Sequence, residues 1–588
     1  VKSALKSWVR ALEMTAPIER QPLLTLPVLI DRLAERFTAA PALVSPEAQL
    51  TYGQVAANCS RYARWAVSQG LQRGDTVGLL MHNCAHYLPL WLGLTRAGVS
   101  VALLNTQLRG EVLAHCIRIV APKLMIVGSS LCDAVPDARA SLDKALPWWA
   151  YGAGGHELPR MDLASADLPA VAVDASEIAL PSLDERALYI YTSGTTGLPK
   201  AAQVSHFRVM QWSHWFAGMM DTGPGDRMYD CLPLYHSVGG VVATGATLVG
   251  GGTVVIRERF SAGDFWRDVI AERCTLFQYI GELCRYLVNT APSPEESAHG
   301  LRLCCGNGLR GEVWEEFQRR FRIPQILEYY ASTEGNFSLY NCEGKSGAIG
   351  RIPPFLKHRT PVEIVRFDLE TQAPARDAAG RCAACDPDEP GEALGKLQSA
   401  GSGQLGRFEG YADAAATSSK ILRNVFTDGD AWYRTGDLMR RDAQGFFYFV
   451  DRIGDTYRWK GENVSAAEVT GIIAAAPGIS DAAVYGVQVP GTDGRAGMAA
   501  IVVAPGFDLT AFAAHLAARL PDYAQPVFVR VVPSLELTGT FKLNKQQLLA
   551  QGFDPSRMSG LYLKDRARGY VALDAVAHER IQRGALKL

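Results

Sequence analysis

Nine consecutive residues, Thr192-Ser193-Gly194-Thr195-Thr196-Gly197-Leu198-Pro199-Lys200, crowd hydroxyls, glycines and a lysine into one turn. They follow an apolar, β-favouring run, Ala187-Leu188-Tyr189-Ile190-Tyr191. Glycine lets the backbone approach a ligand closely and visit positive φ. Successive N–H groups then form a nest for an anion. The hydroxyls add donors and the lysine adds charge, which together are what a triphosphate requires. The stretch is not a Walker A loop, which spaces its glycines more widely and ends in Gly-Lys-Ser/Thr. Here only Thr195 and Thr196 separate Gly194 from Gly197, and Lys200 follows a proline.

A second stretch, Glu328-Tyr329-Tyr330-Ala331-Ser332-Thr333-Glu334-Gly335-Asn336, carries complementary chemistry. Tyr330 offers an aromatic face for a base, Thr333 a hydroxyl for an anion, and Glu334 a hard oxygen for a hard cation such as Mg²⁺. Three further places have fewer reactive groups. Leu301-Arg302-Leu303-Cys304-Cys305-Gly306-Asn307-Gly308 reads as a strand ending in a glycine turn. His236 lies between the apolar run Cys231–Tyr235 and a glycine-rich helix start. Asp437 sits in Trp432-Tyr433-Arg434-Thr435-Gly436-Asp437-Leu438, where a carboxylate can accept from two hydroxyls.

The elements that must position these residues alternate. Helical periodicity marks 26–37, 53–69 and 86–97, and buried-strand runs mark 75–81, 99–104 and 124–127. That alternation argues a parallel sheet covered on both faces. A helix is expected from about Ser205 to Met220 after the phosphate turn, and Val238 to Ile256 reads as a buried helix followed by a strand rather than a membrane span. Residues 368–400 read as loops and small β elements leading into a sub-barrel. Residues 1–12 predict a basic amphipathic helix, read as a solvated cap. At 588 residues the chain exceeds one core. Its composition, 48% hydrophobic and 20% charged with net charge -1, is that of a globular protein without broad attraction to nucleic acid. Twelve scattered cysteines lack a disulfide framework and imply a reducing, cytoplasmic setting. Cys382 and Cys385 are a close pair with no second pair to complete a zinc set.

The phosphate turn and the Tyr330–Asn336 stretch resemble the motifs of the adenylate-forming superfamily. The further stretches Gly454–Ser465, Val489–Ala500 and Thr538-Gly539-Thr540-Phe541-Lys542 narrow the resemblance to the fatty acid transport protein / very-long-chain acyl-CoA synthetase family. The resemblance runs from about Leu26 onward. It implies an α/β fold: a large N-terminal domain (1–451) of layered α/β subdomains plus a small β-barrel, then a smaller, mobile α+β lid (452–588). It implies ATP, Mg²⁺ and CoA, and a long- or very-long-chain fatty acid made into acyl-CoA through an acyl-adenylate. A fatty acid uptake protein, or a CoA ligase for bile-acid, steroid side-chain or carnitine-type acids, stands as the alternative. Peripheral association with the inner face of a membrane and a homodimer stay open.

The resemblance also assigns roles. Thr192, Ser193, Gly194, Thr195, Thr196, Gly197 and Lys200 clamp phosphates. Gly306, Asn307 and Gly308 lie against adenine and the acyl group, with Tyr330 stacked on the base. His236 faces the carboxylate pocket, Asp437 takes the ribose, and Thr333 and Glu334 serve the α-phosphate and the metal. Lys542 is the adenylation lysine, with Lys545 the competing choice and Phe541 replacing the family's usual glycine. Arg452 precedes the hinge at Gly454, where the family often has Asp or Lys, and Gly461 faces the CoA arm.

Overall fold

The structure, a computed structural model, describes residues 4–154, 157–192, 198–359, 361–368, 371–398, 406–460, 462–490, 492, 494–536, 543, 545–565, 568–586 and 588. The chain forms two compact units. One comprises Val1–Pro361 and Gly395–Leu422, the other Val362–Leu394 and Arg423–Leu588. The boundary expected at 451/452 falls within the second unit.

In the first unit, a six-stranded sheet runs in the order Trp148–Tyr151, Leu124–Gly128, Thr76–Leu80, Ser100–Leu103, Arg186–Thr192 and Lys200–Ser205. The first five strands pair in parallel. Their middle members, Thr76–Leu80, Leu124–Gly128 and Ser100–Leu103, are buried along their whole length. They read as continuous apolar runs because helices cover both faces. The last pair is antiparallel, with Tyr189 opposite Gln203 and Thr192 opposite Lys200. The helix expected from about Ser205 is present, and a strand not read from the sequence precedes it. The nine-residue stretch connects the two strands of a hairpin, and the helix His206–Met220 begins only after the second strand. Short strands with few apolar residues, such as Lys200–Ser205, carry little periodic signal.

A second sheet of this unit places Ile326–Ala331, Leu303–Asn307, Leu276–Ile280, Arg227–Asp230, Thr253–Ile256 and Pro41–Val44 side by side in parallel. Antiparallel strands Ser338–Asn341 and Gln49–Thr51 flank them. The stretch from Val238 is buried, as expected. It opens as a wide π-type turn, Val238–Ala243, continues as the helix Thr244–Val249 and leads to the strand Thr253–Ile256.

The helix Ala4–Thr15 is not a solvated cap. Trp8 and Ala11 are buried in one cluster with Phe216, Ala217 and Met220 of helix His206–Met220. A Cβ on Gly218 would come 2.5 Å from Ala11 Cα, so the two backbones meet where only glycine fits. Arg10 Nε donates to Gly218 O at 3.0 Å. The apolar stripe Trp8–Ala11–Leu12 outweighs the lysines and arginine that suggested solvation.

In the second unit, Val362–Asp368 pairs antiparallel with Ala373–Pro374, and Ala431–Arg441 pairs antiparallel with Phe446–Arg452. A five-stranded sheet follows: Ile479–Gln488, Arg495–Val503, Phe528–Val531, Leu561–Asp565 and Gly569–Ala572. Helices Ala466–Ala474 and Leu509–Arg519 supply Val469, Ile473, Phe512 and Leu516 to its core. Among the described residues no helix is long and apolar enough to cross a membrane. No group of three or more His, Cys, Asp or Glu residues among them could hold a metal ion.

Candidate active site

The site assembles at the mouth of the Arg186–Thr192/Lys200–Ser205 hairpin. Segment 410–412 runs alongside the second strand: Gln203 N donates to Gly410 O at 3.0 Å and Ala412 N to Ala201 O at 2.9 Å. That places Tyr411 beside both hairpin ends. Its ring lies 5.7 Å from Lys200 Nζ, and its hydroxyl donates to Glu334 Oε1 at 2.7 Å. Burial, then the adjacent Glu334 carboxylate, push the phenol well above its ordinary range, while a hydrogen bond with Thr192 opposes the rise. One hydroxyl therefore ties the start of the phosphate turn to the candidate metal ligand.

Thr333 and Glu334 are both buried. Ser237 Oγ lies 3.2 Å from Thr333 Oγ1, so His236, one residue earlier, stands at the same edge. The backbone there is held by Asn83. Asn83 Nδ2 donates to Leu232 O at 2.8 Å, and its Oδ1 accepts from Leu234 N at 2.9 Å. A Cβ at Gly240 would fall 2.0 Å from Leu234 O, so the wide turn after His236 packs on this stretch only because it is glycine.

Arg208 holds the other side. It is 6% exposed, in the first turn of helix His206–Met220. Its Nη1 donates to Thr333 O at 2.8 Å and Gly335 O at 2.7 Å. Glu409 faces it at 3.6 Å and accepts from Ser205 N at 2.7 Å, while Ser205 Oγ caps the helix. A buried, fully engaged guanidinium thus brackets the Thr333–Glu334 turn.

Gly306, Asn307 and Gly308 lie where strand Leu303–Asn307 ends, next to the strand bearing Tyr330. A Cβ at Gly306 would sit 2.2 Å from Tyr279 O, and Gly308 has φ +79°. Glu328 organises this turn: its carboxyl accepts from Tyr279 Oη at 2.5 Å and from Leu309 N at 3.1 Å. Burial pushes Glu328 up to about 8, against the opposing pull of those hydrogen bonds. Tyr330 packs on Phe337, with ring centroids 5.9 Å apart.

Asp437 and Arg452 lie in the second unit, opposite each other across the Ala431–Arg441/Phe446–Arg452 ladder, with Arg452 Nε 3.7 Å from Asp437 Oδ1. Thr435 Oγ1 accepts from Asp437 N at 3.0 Å, which fixes the turn that presents the carboxylate. Gly454 has φ +97° with nothing within 4 Å of an added Cβ. Lys545, the competing lysine, is ion-paired to Asp455 at 3.3 Å. Ser193, Gly194, Thr195, Thr196, Gly197, Gly461 and Lys542 lie outside the described residues.

Sequence reasoning missed Arg208, Tyr411, Glu409, Asn83 and Glu328. Glu328 opens the second motif but has no role read for it there, and Arg208 leaves a trace as one charge inside the apolar run Phe207-Arg208-Val209-Met210. Cys382 is buried and Cys385 half-buried; Cys385 Sγ reaches Pro390 O at 3.7 Å.

The family model of AMP-binding enzymes matches residues 30–380, and that of the AMP-binding enzyme C-terminal domain matches 468–542. The chain belongs to the AMP-binding enzyme family. It is 40% identical over 575 residues to mouse long-chain fatty acid transport protein 1, covering 96% of this chain and 88% of the relative. A medium/long-chain-fatty-acid–CoA ligase of Mycobacterium tuberculosis is 39% identical over 540 residues, covering 91% and 87%. Among solved structures, an anthranilate CoA ligase bound to anthranoyl-AMP superposes with TM-score 0.76 at 19% identity, covering 90% of this chain and 96% of that one. That likeness gives the adenylate-forming fold. Tyr411 stands between Lys200, at the start of the hairpin's second strand, and Glu334.

Proposed function

We propose that the protein is an ATP-dependent, AMP-forming acid–thiol ligase that converts a long- or very-long-chain fatty acid to its CoA thioester. The observation that carries this reading is the Thr333–Glu334 pair, bracketed by Arg208 and joined through Tyr411 to the phosphate hairpin. In the first half-reaction a fatty carboxylate oxygen attacks the α-phosphorus of ATP and pyrophosphate leaves. In the second the CoA sulfur attacks the acyl carbonyl, AMP leaves with the C–O bond electrons, and the thiol proton passes to solvent. No protein nucleophile is needed.

Thr333 donates to the α-phosphate from a position already fixed through its own carbonyl. Preorganised donors of this kind need no rearrangement as charge develops. Glu334 fits a magnesium ion, because one carboxylate with substrate phosphates and water satisfies its hard-oxygen preference. When bound, Mg²⁺ supplies charge neutralisation of the phosphates. Tyr330 stacks on adenine beside the Gly306–Gly308 turn, Asp437 accepts from the ribose hydroxyls with Arg452 beside it, and His236 faces the acid. Lys542 stabilises the adenylation transition state, and residues from 452 onward act as a lid that turns at Gly454 to bring Gly461 to CoA. Names of relatives such as mouse long-chain fatty acid transport protein 1 support a second reading, fatty acid uptake. Pyrophosphate release measured over a panel of carboxylic acids, with and without CoA, separates the two. Release with fatty acids and thioester formation with CoA are expected, and no release with any acid leaves the uptake reading standing.

A further inference from the structure

A cavity of about 530 Å³ in the first unit lies on the Arg208 side of the turn holding Thr333 and Glu334, beneath the helix Ala4–Thr15. Its volume falls in the range, about 300–1,000 Å³, that encloses a small-molecule ligand. Among the described residues, none of Lys200, His236, Gly306, Tyr330, Thr333 and Glu334 lines it, so it is not the reaction site. Trp8 does line it, although that residue precedes the family match beginning at residue 30.

The wall is rich in rings: Trp8, Trp212, Trp215, Phe337 and Tyr340. Trp8 stands edge-on to Trp215 at 5.9 Å and to Tyr340 at 5.6 Å. The indole Nε1 atoms of Trp8 and Trp215 are both buried, and neither meets an acceptor among the described residues. Buried donors are nearly always paired, so two orphans on one cavity call for a guest that accepts. The charge balance has the matching sign. Arg20 and Arg359 contribute exposed guanidinium groups, and Glu19 is the sole acidic side chain of the lining among the described residues. Ring walls favour another ring, set edge-on or offset. Unpaired N–H groups and guanidinium groups favour an anion. Together they fit an aromatic anion.

Arg208 connects this cavity to the reaction site. It lines the cavity, while its Nη1 donates to Thr333 O at 2.8 Å and Gly335 O at 2.7 Å. Its Nη2 donates to the carbonyl of Arg407, which lines the cavity as well. Ser332 and Gly335, on either side of the Thr333–Glu334 pair, complete that end. A ligand that displaces Arg407 or Arg208 therefore disturbs the donors and carbonyls that hold the turn.

We propose that the cavity is a second ligand site, for an aromatic carboxylate or sulfonate, and that its occupancy lowers the rate of adenylation through Arg208. The site stands apart from the ligase reading; its effect on adenylation rests on that reading.

The probe is 8-anilinonaphthalene-1-sulfonate, titrated by fluorescence into the full chain. Saturable binding is expected. Trp215→Phe keeps a ring and removes one donor, and is expected to weaken binding about five-fold. Arg359→Gln removes a charge and is expected to weaken it several-fold. Arg359 is exposed, so this variant folds as the wild type does, and melting curves check both. At saturating ATP and fatty acid, bound probe is expected to lower pyrophosphate release several-fold, which separates it from a competitor that those substrates displace. Equal affinity of the wild type and both folded variants overturns the site. So does the absence of saturable binding, which leaves the cavity to water. Binding without a change in pyrophosphate release overturns the coupling through Arg208. A wild type that releases no pyrophosphate with any fatty acid overturns the ligase reading and the coupling with it, while the titration still decides the site.

Discussion

At the scale of single residues, the arrangement turns on groups that touch no substrate. Arg208 spends its hydrogen bonds on the carbonyls of Thr333 and Gly335, so its removal leaves two buried acceptors and the Glu409 carboxylate without their cation. Breaking one partner of a buried charged pair is costly because the other is left uncompensated. Arg208→Ala is therefore expected to lower stability by about 3 kcal/mol. Arg208→Lys, which keeps the charge but not the fork, is expected to fold and to lose about 100-fold in pyrophosphate release. Thermal melts and the adenylation assay check both. Tyr411→Phe separates another function. It removes the hydroxyl that donates to Glu334 while keeping the ring beside Lys200. Losing this donor changes how the carboxylate is held, so the Mg²⁺ concentration giving half-maximal adenylation is expected to shift several-fold while ring packing and melting temperature stay close to wild type. An Mg²⁺ titration at saturating ATP and acid reads this directly.

At the scale of elements, the strand Ile326–Ala331 joins stability to the site, because it carries both Glu328 and Tyr330. Burial holds Glu328 protonated to about 8, above its ordinary value of 4.5. Its folded-state pKa is thus raised, and the folded chain binds more protons than the unfolded chain between these values. Stability is fully present below about pH 4.5 and is lost as pH rises through 8, at up to about 1.4 kcal/mol per pH unit. Glu328→Gln keeps an acceptor for Tyr279 and Leu309 but cannot ionise. Its denaturant midpoint is expected to stay flatter than that of the wild type from pH 5 to 8.5, and parallel curves would refute this. The same elements show what was legible in advance. Strands buried on both faces and long helices announced themselves through apolar runs and periodicity, so Thr253–Ile256 and His206–Met220 were readable to within a residue. The strand Lys200–Ser205 was not, because its pairing with Arg186–Thr192 and with segment 410–412 is set by distant partners. Motif chemistry singled out Thr333, Glu334 and Lys200 as candidates. It could not find Tyr411 or Glu328, whose roles arise only when separate strands are brought together. The burial of helix Ala4–Thr15 was misread because its charges are as prominent in sequence as Trp8 and Ala11, and only packing decides between them.

At the scale of the whole molecule, the question is how one chain performs two reactions in succession, and Gly454 is where the chemistry and the backbone meet. Its φ of +97° is a conformation that side-chain-bearing residues rarely adopt, while the space around its missing Cβ is open. Glycine is therefore required there for backbone freedom rather than for room. Proline would lock φ near about −65° and forbid the observed conformer outright. The neighbours are firmly held: Ile453 N donates to Gly436 O at 2.9 Å, and Lys545 pairs with Asp455 at 3.3 Å. A turn of the lid would concentrate its backbone change at the residue between these anchors. If adenylation and thioester formation use different settings of that residue, Gly454→Pro and Gly454→Ala must affect the half-reactions unequally. Gly454→Ala, whose side chain is strained at the φ of +97° seen here, is expected to disturb the conformational exchange and lower thioester formation several-fold. Gly454→Pro is expected to lose one half-reaction at least ten times more than the other. Single-turnover pyrophosphate release and thioester formation from a supplied acyl-adenylate measure them separately. Equal losses in both, with an unchanged melting temperature, would remove Gly454 as the pivot and place the motion elsewhere in the chain.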